Sequence, residues 1–239
     1  VTLFVTGTDT GVGKTVVCAA LAAALNGRGV RVGYLKPVAT GCLRQGGELV
    51  SPDVEFVRTA AGLDQPLELM SPIRFATPLA PPAAARAEGR RVDLKPAYAA
   101  WRALKQDREV LIVEGVGGLL APLTEDLTVA SLISDWGVPA LVVARPSLGT
   151  INHTLLTLYT LASYDVACPG FLFCGPGEDD STPDNAVWIT RFSGVPCRGH
   201  LPQVPGLDVD QGRPGDLPRF LHRLDLDALL SGLPAPARD

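Results

Sequence analysis

Thr8-Asp9-Thr10-Gly11-Val12-Gly13-Lys14-Thr15 holds residue types that bind phosphate, in an order that can do so. Glycines let backbone N–H groups close on phosphate oxygens, Lys14 adds a point charge, and the Thr15 hydroxyl can hold Mg²⁺. An apolar run, residues 1–5, precedes the loop, and a helix-like run, residues 16–25, follows it. The loop therefore sits at a helix N-terminus, where unpaired N–H groups favour anions. The standard spacing wants its first glycine where Thr8 stands, and Gly7 comes one residue early. Strand, Gly-Lys-Thr and helix nevertheless agree on a phosphate-binding loop.

Three further constellations lie just past apolar runs. Lys36-Pro37-Val38-Ala39-Thr40-Gly41 places a lysine at a strand end, where it can face the phosphate loop. Alone, such a Lys-Pro pair reads more readily as a solvated lysine. Val110-Leu111-Ile112-Val113 runs into Glu114-Gly115-Val116-Gly117-Gly118. A buried strand ending in an acid and glycines is the arrangement that brings a carboxylate to nucleotide-bound Mg²⁺. A carboxylate capping a turn is the alternative. Leu148-Gly149-Thr150-Ile151-Asn152-His153 stands at a predicted helix start that can hold an anion, although Thr150 and Asn152 equally suit helix capping. Asp53, in Ser51-Pro52-Asp53, is either a second metal carboxylate or part of a helix start with Ser51 as cap.

The elements that must position these residues alternate along the chain. Strand-like runs are residues 1–5, 30–35, 110–113, 140–144, 170–173 and, more weakly, 195–200. Helix-like runs are residues 14–26, 53–61, 96–105, 129–135, 151–164, 186–192 and 217–230. Several strands are continuously apolar, as in parallel sheets covered on both faces. The expected fold is α/β: a doubly wound, mostly parallel sheet with helices on both faces, of the P-loop NTPase type. Residues 1–230 read as one domain and 231–239 as a frayed tail. Residues 66–90, rich in Pro and Ala, read as an excursion with one short helix, and 175–185 as a mobile surface loop.

The 239 residues, 46% hydrophobic and 19% charged, suffice for a large core, and a net charge of −4 argues against a nucleic-acid partner. No apolar run reaches the roughly 20 residues of a membrane span. A core-like strand at the start leaves no room for a signal peptide. Five scattered cysteines without a C-x-x-C pair suit a reducing cytoplasm, and three dispersed histidines form no ligand cluster.

In order and spacing these motifs resemble the dethiobiotin synthetase family, ATP-dependent enzymes that close the ureido ring of biotin. The resemblance spans residue 5 to about residue 202 and includes the segment 75–82. It implies a cytoplasmic homodimer acting on 7,8-diaminopelargonate, CO₂ and ATP with Mg²⁺, without nucleic-acid or membrane partners. By position, Gly11, Val12, Gly13, Lys14, Thr15 and Val16 would wrap the triphosphate. Thr15, Asp53 and Glu114 would bind Mg²⁺. Lys14 and Lys36 would stabilise the carbamate and the phosphoryl group in transit, and Thr10 and Thr40 would bond the carbamate and amine end. Glu114, Gly115, Val116 and Gly117 would touch substrate or nucleotide. Asn152 would hold the substrate carboxylate near the subunit interface, and Cys174, Gly175, Pro202, Gln203 and Val204 would surround the base. Two departures stand out. Some members carry an acid where this chain has Gly11, and an Asn-Asp pair that reads adenine is replaced by Cys174-Gly175.

Two other readings share the phosphate loop. An amide-forming synthetase would usually add a glutamine-hydrolysing domain, for which the chain has little room. A cell-division or plasmid-partition ATPase typically carries a signature lysine where Asp9 stands. Some also dock on membranes through a terminal amphipathic helix. Residues 217–230 mix acids with arginines on their polar face, which favours core packing.

Overall fold

A computed structural model describes residues 1–177 and 182–233 of the chain. In chain order the elements are β1 (Thr2–Gly7), α1 (Lys14–Asn26), β2 (Val32–Leu35), β3 (Val38–Ala39), β4 (Leu43–Gln45) and β5 (Glu48–Val50). Then come α2 (Pro52–Ala61), α3 (Leu67–Met70), β6 (Ile73–Arg74), α4 (Pro81–Ala87), α5 (Lys95–Asp107) and β7 (Val110–Glu114). The rest is α6 (Val129–Trp136), β8 (Ala140–Ala144), α7 (Thr150–Ser163), β9 (Phe171–Cys174), α8 (Thr182–Ser193) and β10 (Cys197–Leu201). A 3₁₀ helix (Leu217–Arg223) and α9 (Leu226–Ser231) follow.

Six strands form one sheet in the order β10-β9-β8-β1-β7-β2, every pairing parallel. The order turns outward in both directions from β1, so the ends of β1, β2 and β7 open on the crevice where this topology binds ligands. Strand side chains alternate between two cores. Leu3, Val5, Val110, Ile112, Leu141 and Val143 face a cluster built with α1 and α2. Phe4, Leu111, Val113, Val142 and Ala144 face a second cluster built with α5, α6 and α7. Because both sets are covered, β1, β7 and β8 read as unbroken apolar runs. Each fully buried Leu or Val contributes about 1.5–3 kcal/mol, which anchors strand ends that then carry polar groups.

The expected doubly wound sheet is present, with differences at its margins. The 217–230 segment is two helices rather than one. At Leu224 the backbone becomes extended and bridges Gly199, while Asp225 N–H donates to the Arg198 carbonyl, so the β10 edge claims the chain there. Leu217, Leu226 and Leu229 are buried in the first core. The 66–90 excursion holds two short helices, α3 and α4, plus β6, which pairs with β3 beside the lysine loop. Ser51 precedes α2 as expected, but its side chain makes no capping bond; its carbonyl accepts from Glu55 N–H instead. Helix α8 begins at Thr182, inside the expected 175–185 loop. Within that loop, residues 178–181 lie outside the described residues, as do 234–239 of the expected tail. Among the described residues no helix is long and apolar enough to cross a membrane, and all five cysteines are free.

Candidate active site

The phosphate loop leaves β1 and enters α1 through Gly13, whose φ of 93° is left-handed. A Cβ there would lie 2.4 Å from Cys174 Sγ, so glycine is required both for the turn and for the close approach of β9. No side chain caps α1, which leaves its first N–H groups for an anion. Lys14 is buried, and its Nζ donates to the Asp9 carbonyl at 2.8 Å. Burial lowers its pKa, with Glu114 partly offsetting the shift. Val12 turns into the first core.

Lys36 leaves β2 and is only 5% exposed, which removes the solvated reading. Its backbone N–H donates to the Met70 carbonyl at 2.7 Å, so the 66–90 excursion holds the lysine in place. Its Nζ lies 2.6 Å from Asp53 Oδ2 and 2.5 Å from Glu114 Oε1. The Thr15 hydroxyl lies 3.1 Å from Asp53 Oδ1 and 2.9 Å from Glu114 Oε1. Four residues distant in sequence thus meet at one point, with Glu114 supplied by the buried end of β7. Burial works against the Lys36 ammonium, but Glu114 and Asp53 outweigh it and raise its pKa. Burial likewise works against the Asp53 carboxylate, but Lys36 outweighs it and holds that pKa below the usual value.

This donor set fits Mg²⁺. Two carboxylates and a hydroxyl are hard oxygen ligands, and nucleotide-bound Mg²⁺ typically takes one or two protein carboxylates. The Lys36 ammonium already stands between Asp53 and Glu114, a cation in the place the metal would take. Among the described residues no group of three or more His, Cys, Asp or Glu could hold a metal ion; the set here is two carboxylates and a hydroxyl, which leaves the remaining positions to phosphate oxygens and water.

Two cavities meet here. One, about 420 Å³, is lined by Gly11, Gly13, Lys14, Thr15, Val16, Lys36, Asp53, Glu114 and Gly115. The other, about 820 Å³, runs between Asp9, the Pro78–Pro81 turn, Gly118 to Ala121 and the α7 residues Leu156, Thr157 and Thr160. Thr10, Thr40, Val116 and Gly117 line both, so they stand where the two contents would meet. Asn152 is exposed and lines neither cavity; Gly149, not Thr150 or Asn152, occupies the cap position of α7.

Cys174, Gly175, Pro202, Gln203 and Val204 do not line the phosphate cavity. The Cys174 thiol packs beneath Gly13, its pKa pushed up to about 12 by burial. The Gly175 carbonyl is 2.8 Å from His200 Nε2. From the last long loop, Val209 and Asp210 reach the cavity instead. A turn pins them, with Asp208 and Arg213 exchanging two backbone hydrogen bonds of 2.8 Å. Sequence reading missed both, because Asp208-Val209-Asp210-Gln211-Gly212 signals only a turn.

The AAA-domain family model matches residues 1–211. An ATP-dependent dethiobiotin synthetase BioD of Thermodesulfovibrio yellowstonii is 37% identical over 238 residues, covering 95% of this chain and 98% of the relative. That of Anaeromyxobacter dehalogenans strain 2CP-C is 45% identical, covering 86% and 91%. The Bacillus subtilis protein is 38% identical, covering 84% and 87%. Among solved structures, the MinC:MinD cell division protein complex of Aquifex aeolicus matches with TM-score 0.59 at 15% identity, covering 100% of this chain and 98% of that one. Pyrococcus furiosus cell division ATPase MinD gives 0.54 at 19%, covering 97% and 95%. At such identities these show the shared fold alone, whereas the synthetase relatives are 37–45% identical over 84–95% of this chain: the chain belongs to the ATP-dependent dethiobiotin synthetase family.

Proposed function

We propose that this chain closes the ureido ring of dethiobiotin from 7,8-diaminopelargonate, CO₂ and Mg-ATP in residues 1–230, which work as one catalytic domain. The observation that carries the proposal is the junction of a phosphate cavity with a larger cavity at Thr10, Thr40, Val116 and Gly117. A nine-carbon diamine fits the larger cavity, with its amines at the junction and its chain against Leu79, Leu120 and Leu156.

One substrate amine captures CO₂ as a carbamate. A carbamate oxygen then attacks the γ-phosphorus, ADP leaves, and a carbamic-phosphoric anhydride forms. The second amine attacks the carbamate carbon, the C–O bond to phosphate breaks, and the urea closes with release of phosphate. No protein nucleophile is required, so the protein's work is alignment and charge stabilisation. Gly11 to Val16 hold the phosphates, with Lys14 swinging from the Asp9 carbonyl to the β/γ oxygens. Thr15, Asp53 and Glu114 hold Mg²⁺, which when bound neutralises phosphate charge. Lys36, released from its carboxylates, faces carbamate and phosphoryl oxygens, and Thr10 and Thr40 bond the carbamate and amine end. Asp210 and Val209 close over the nucleotide beside the 202–204 loop.

We further propose a homodimer. Leu156, Tyr159, Trp188 and Phe192 form an exposed apolar face across α7 and α8, each 41–59% exposed. Trp188 stacks on Phe192, and the Tyr159 hydroxyl donates to the Phe192 carbonyl, so the face is ordered. Monomers seldom expose contiguous apolar patches of this kind. Leu156 also lines the larger cavity, and Asn152, exposed and outside its own cavity, would serve the partner's.

Purified chain given diaminopelargonate, bicarbonate and Mg-ATP tests this reading. Dethiobiotin is the expected product. ATP turnover indifferent to diaminopelargonate would point instead to a switch-type ATPase.

A further inference from the structure

Glu114 has two oxygens with different duties. Oε1 takes the Thr15 hydroxyl and Lys36 Nζ, whereas Oε2 accepts a 2.7 Å hydrogen bond from the Tyr34 hydroxyl. Tyr34 is the largest of the fully buried side chains, at 0% exposure. A buried phenol needs a partner for its O–H, and here that partner is the carboxylate of the Mg²⁺ site. The Tyr34 backbone is covered separately from its hydroxyl. Strand β2 is a sheet edge, and the buried Gln65 side chain covers that edge at this residue. Gln65 Oε1 accepts from Tyr34 N–H at 2.8 Å, and Gln65 Nε2 donates to the Tyr34 carbonyl at 3.4 Å. A side-chain amide thus substitutes for a neighbouring strand.

We propose that Tyr34 is a positioning residue for the reaction: its hydroxyl fixes the Glu114 carboxylate so that Oε1 is presented to the cation. Tyr34 touches neither metal nor substrate. It would hold the carboxylate plane were Mg²⁺ to take the place of the Lys36 ammonium, so that the side chain need not reorganise to receive the metal. Partners behind a metal ligand commonly govern affinity by 10- to 100-fold. The inference rests on the Mg²⁺ assignment made above, and its test separates the two.

Mn²⁺ binding in the presence of ADP is measured by electron paramagnetic resonance on the wild type, Tyr34→Phe, Asp53→Asn and Gln65→Leu, each corrected for folded fraction by circular dichroism. The expected result is tight Mn²⁺ binding by the wild type, loss in Asp53→Asn, and affinity about 10-fold or more weaker in Tyr34→Phe. Gln65→Leu, which keeps the hydroxyl, should lose stability yet stay within about threefold of wild-type affinity. Wild-type affinity in Tyr34→Phe would overturn the role of Tyr34 and leave the metal site standing. Equal losses in Tyr34→Phe and Gln65→Leu would overturn it too, by assigning the effect to a loosened strand. Wild-type affinity in Asp53→Asn would overturn the metal assignment itself. Should Tyr34→Phe not fold, replacing all four tyrosines with 3-fluorotyrosine alters the hydrogen bond without emptying the site. Mn²⁺ affinity must then change, and an unchanged value would overturn the proposal.

Discussion

Lys36 illustrates how little of a residue's role its neighbours in sequence disclose. A Lys-Pro pair suggests a solvated side chain, yet the ammonium is buried between Asp53 and Glu114, which are 17 and 78 positions away. Breaking a buried pair leaves an uncompensated charge, a loss of about 3–5 kcal/mol in general. Lys36→Met should therefore lower stability to urea in the absence of metal, and Mg-ADP should restore part of it by supplying another cation. The same variant should lose roughly 10²-fold in kcat, the scale of one transition-state electrostatic contact. Normal turnover would remove Lys36 from the chemistry. Asp53 gives a pH test. Lys36 holds its folded pKa below the ordinary carboxylate value of 3.8, so the folded state binds fewer protons than the unfolded state in the window beneath that value. The stabilisation is full above pH 3.8 and is lost as pH falls through the folded pKa. The stability gap between wild type and Asp53→Asn, measured in urea from pH 6 down to pH 3, should accordingly shrink with acidification. A constant gap would deny the ionic role.

At the scale of elements, what the sequence disclosed followed burial. Strands β1, β7 and β8 announced themselves because both faces are covered, and α1 because a run of Ala, Val and Leu follows Gly-Lys-Thr. Residues 217–230 misled because their apolar spacing suits one helix, whereas the open edge of β10 draws Leu224 and Asp225 out of it. That competition is tertiary and leaves no local trace. The same holds for Val209 and Asp210, whose importance lies in where a turn lands. Strand β9 bears on nucleotide choice. It ends in Cys174, which is turned beneath Gly13, and Gly175, which has no side chain. An asparagine side chain would offer both donor and acceptor to adenine, whereas a cysteine offers only a weak donor and a glycine no side chain at all. We expect other nucleoside triphosphates to support turnover within about tenfold of ATP in kcat/KM, a difference of roughly 1.4 kcal/mol. A preference of several hundredfold for ATP over GTP and CTP would assign base reading to backbone groups around Pro202 or to Asp210.

The whole molecule joins two readings of one fold. Cell-division ATPases share its fold at 15–19% identity, while the relatives 37–45% identical to it are dethiobiotin synthetases. Sequence disclosed the motifs individually, but the meeting of two cavities at Thr10, Thr40, Val116 and Gly117 required the folded chain. Assembly is the first test at this scale. Trp188→Glu with Phe192→Glu should convert a dimer into monomers by light scattering and raise the KM for diaminopelargonate more than that for ATP. A fully active wild-type monomer would contradict the shared site. The central claim is that the carbamate oxygen takes the γ-phosphoryl group, and oxygen labelling tests it most directly. With diaminopelargonate, Mg-ATP and freshly dissolved ¹⁸O-labelled CO₂, one phosphate should form per dethiobiotin, and that phosphate should carry ¹⁸O from the CO₂. Dethiobiotin accompanied by unlabelled phosphate, before label exchanges with water, would contradict the account.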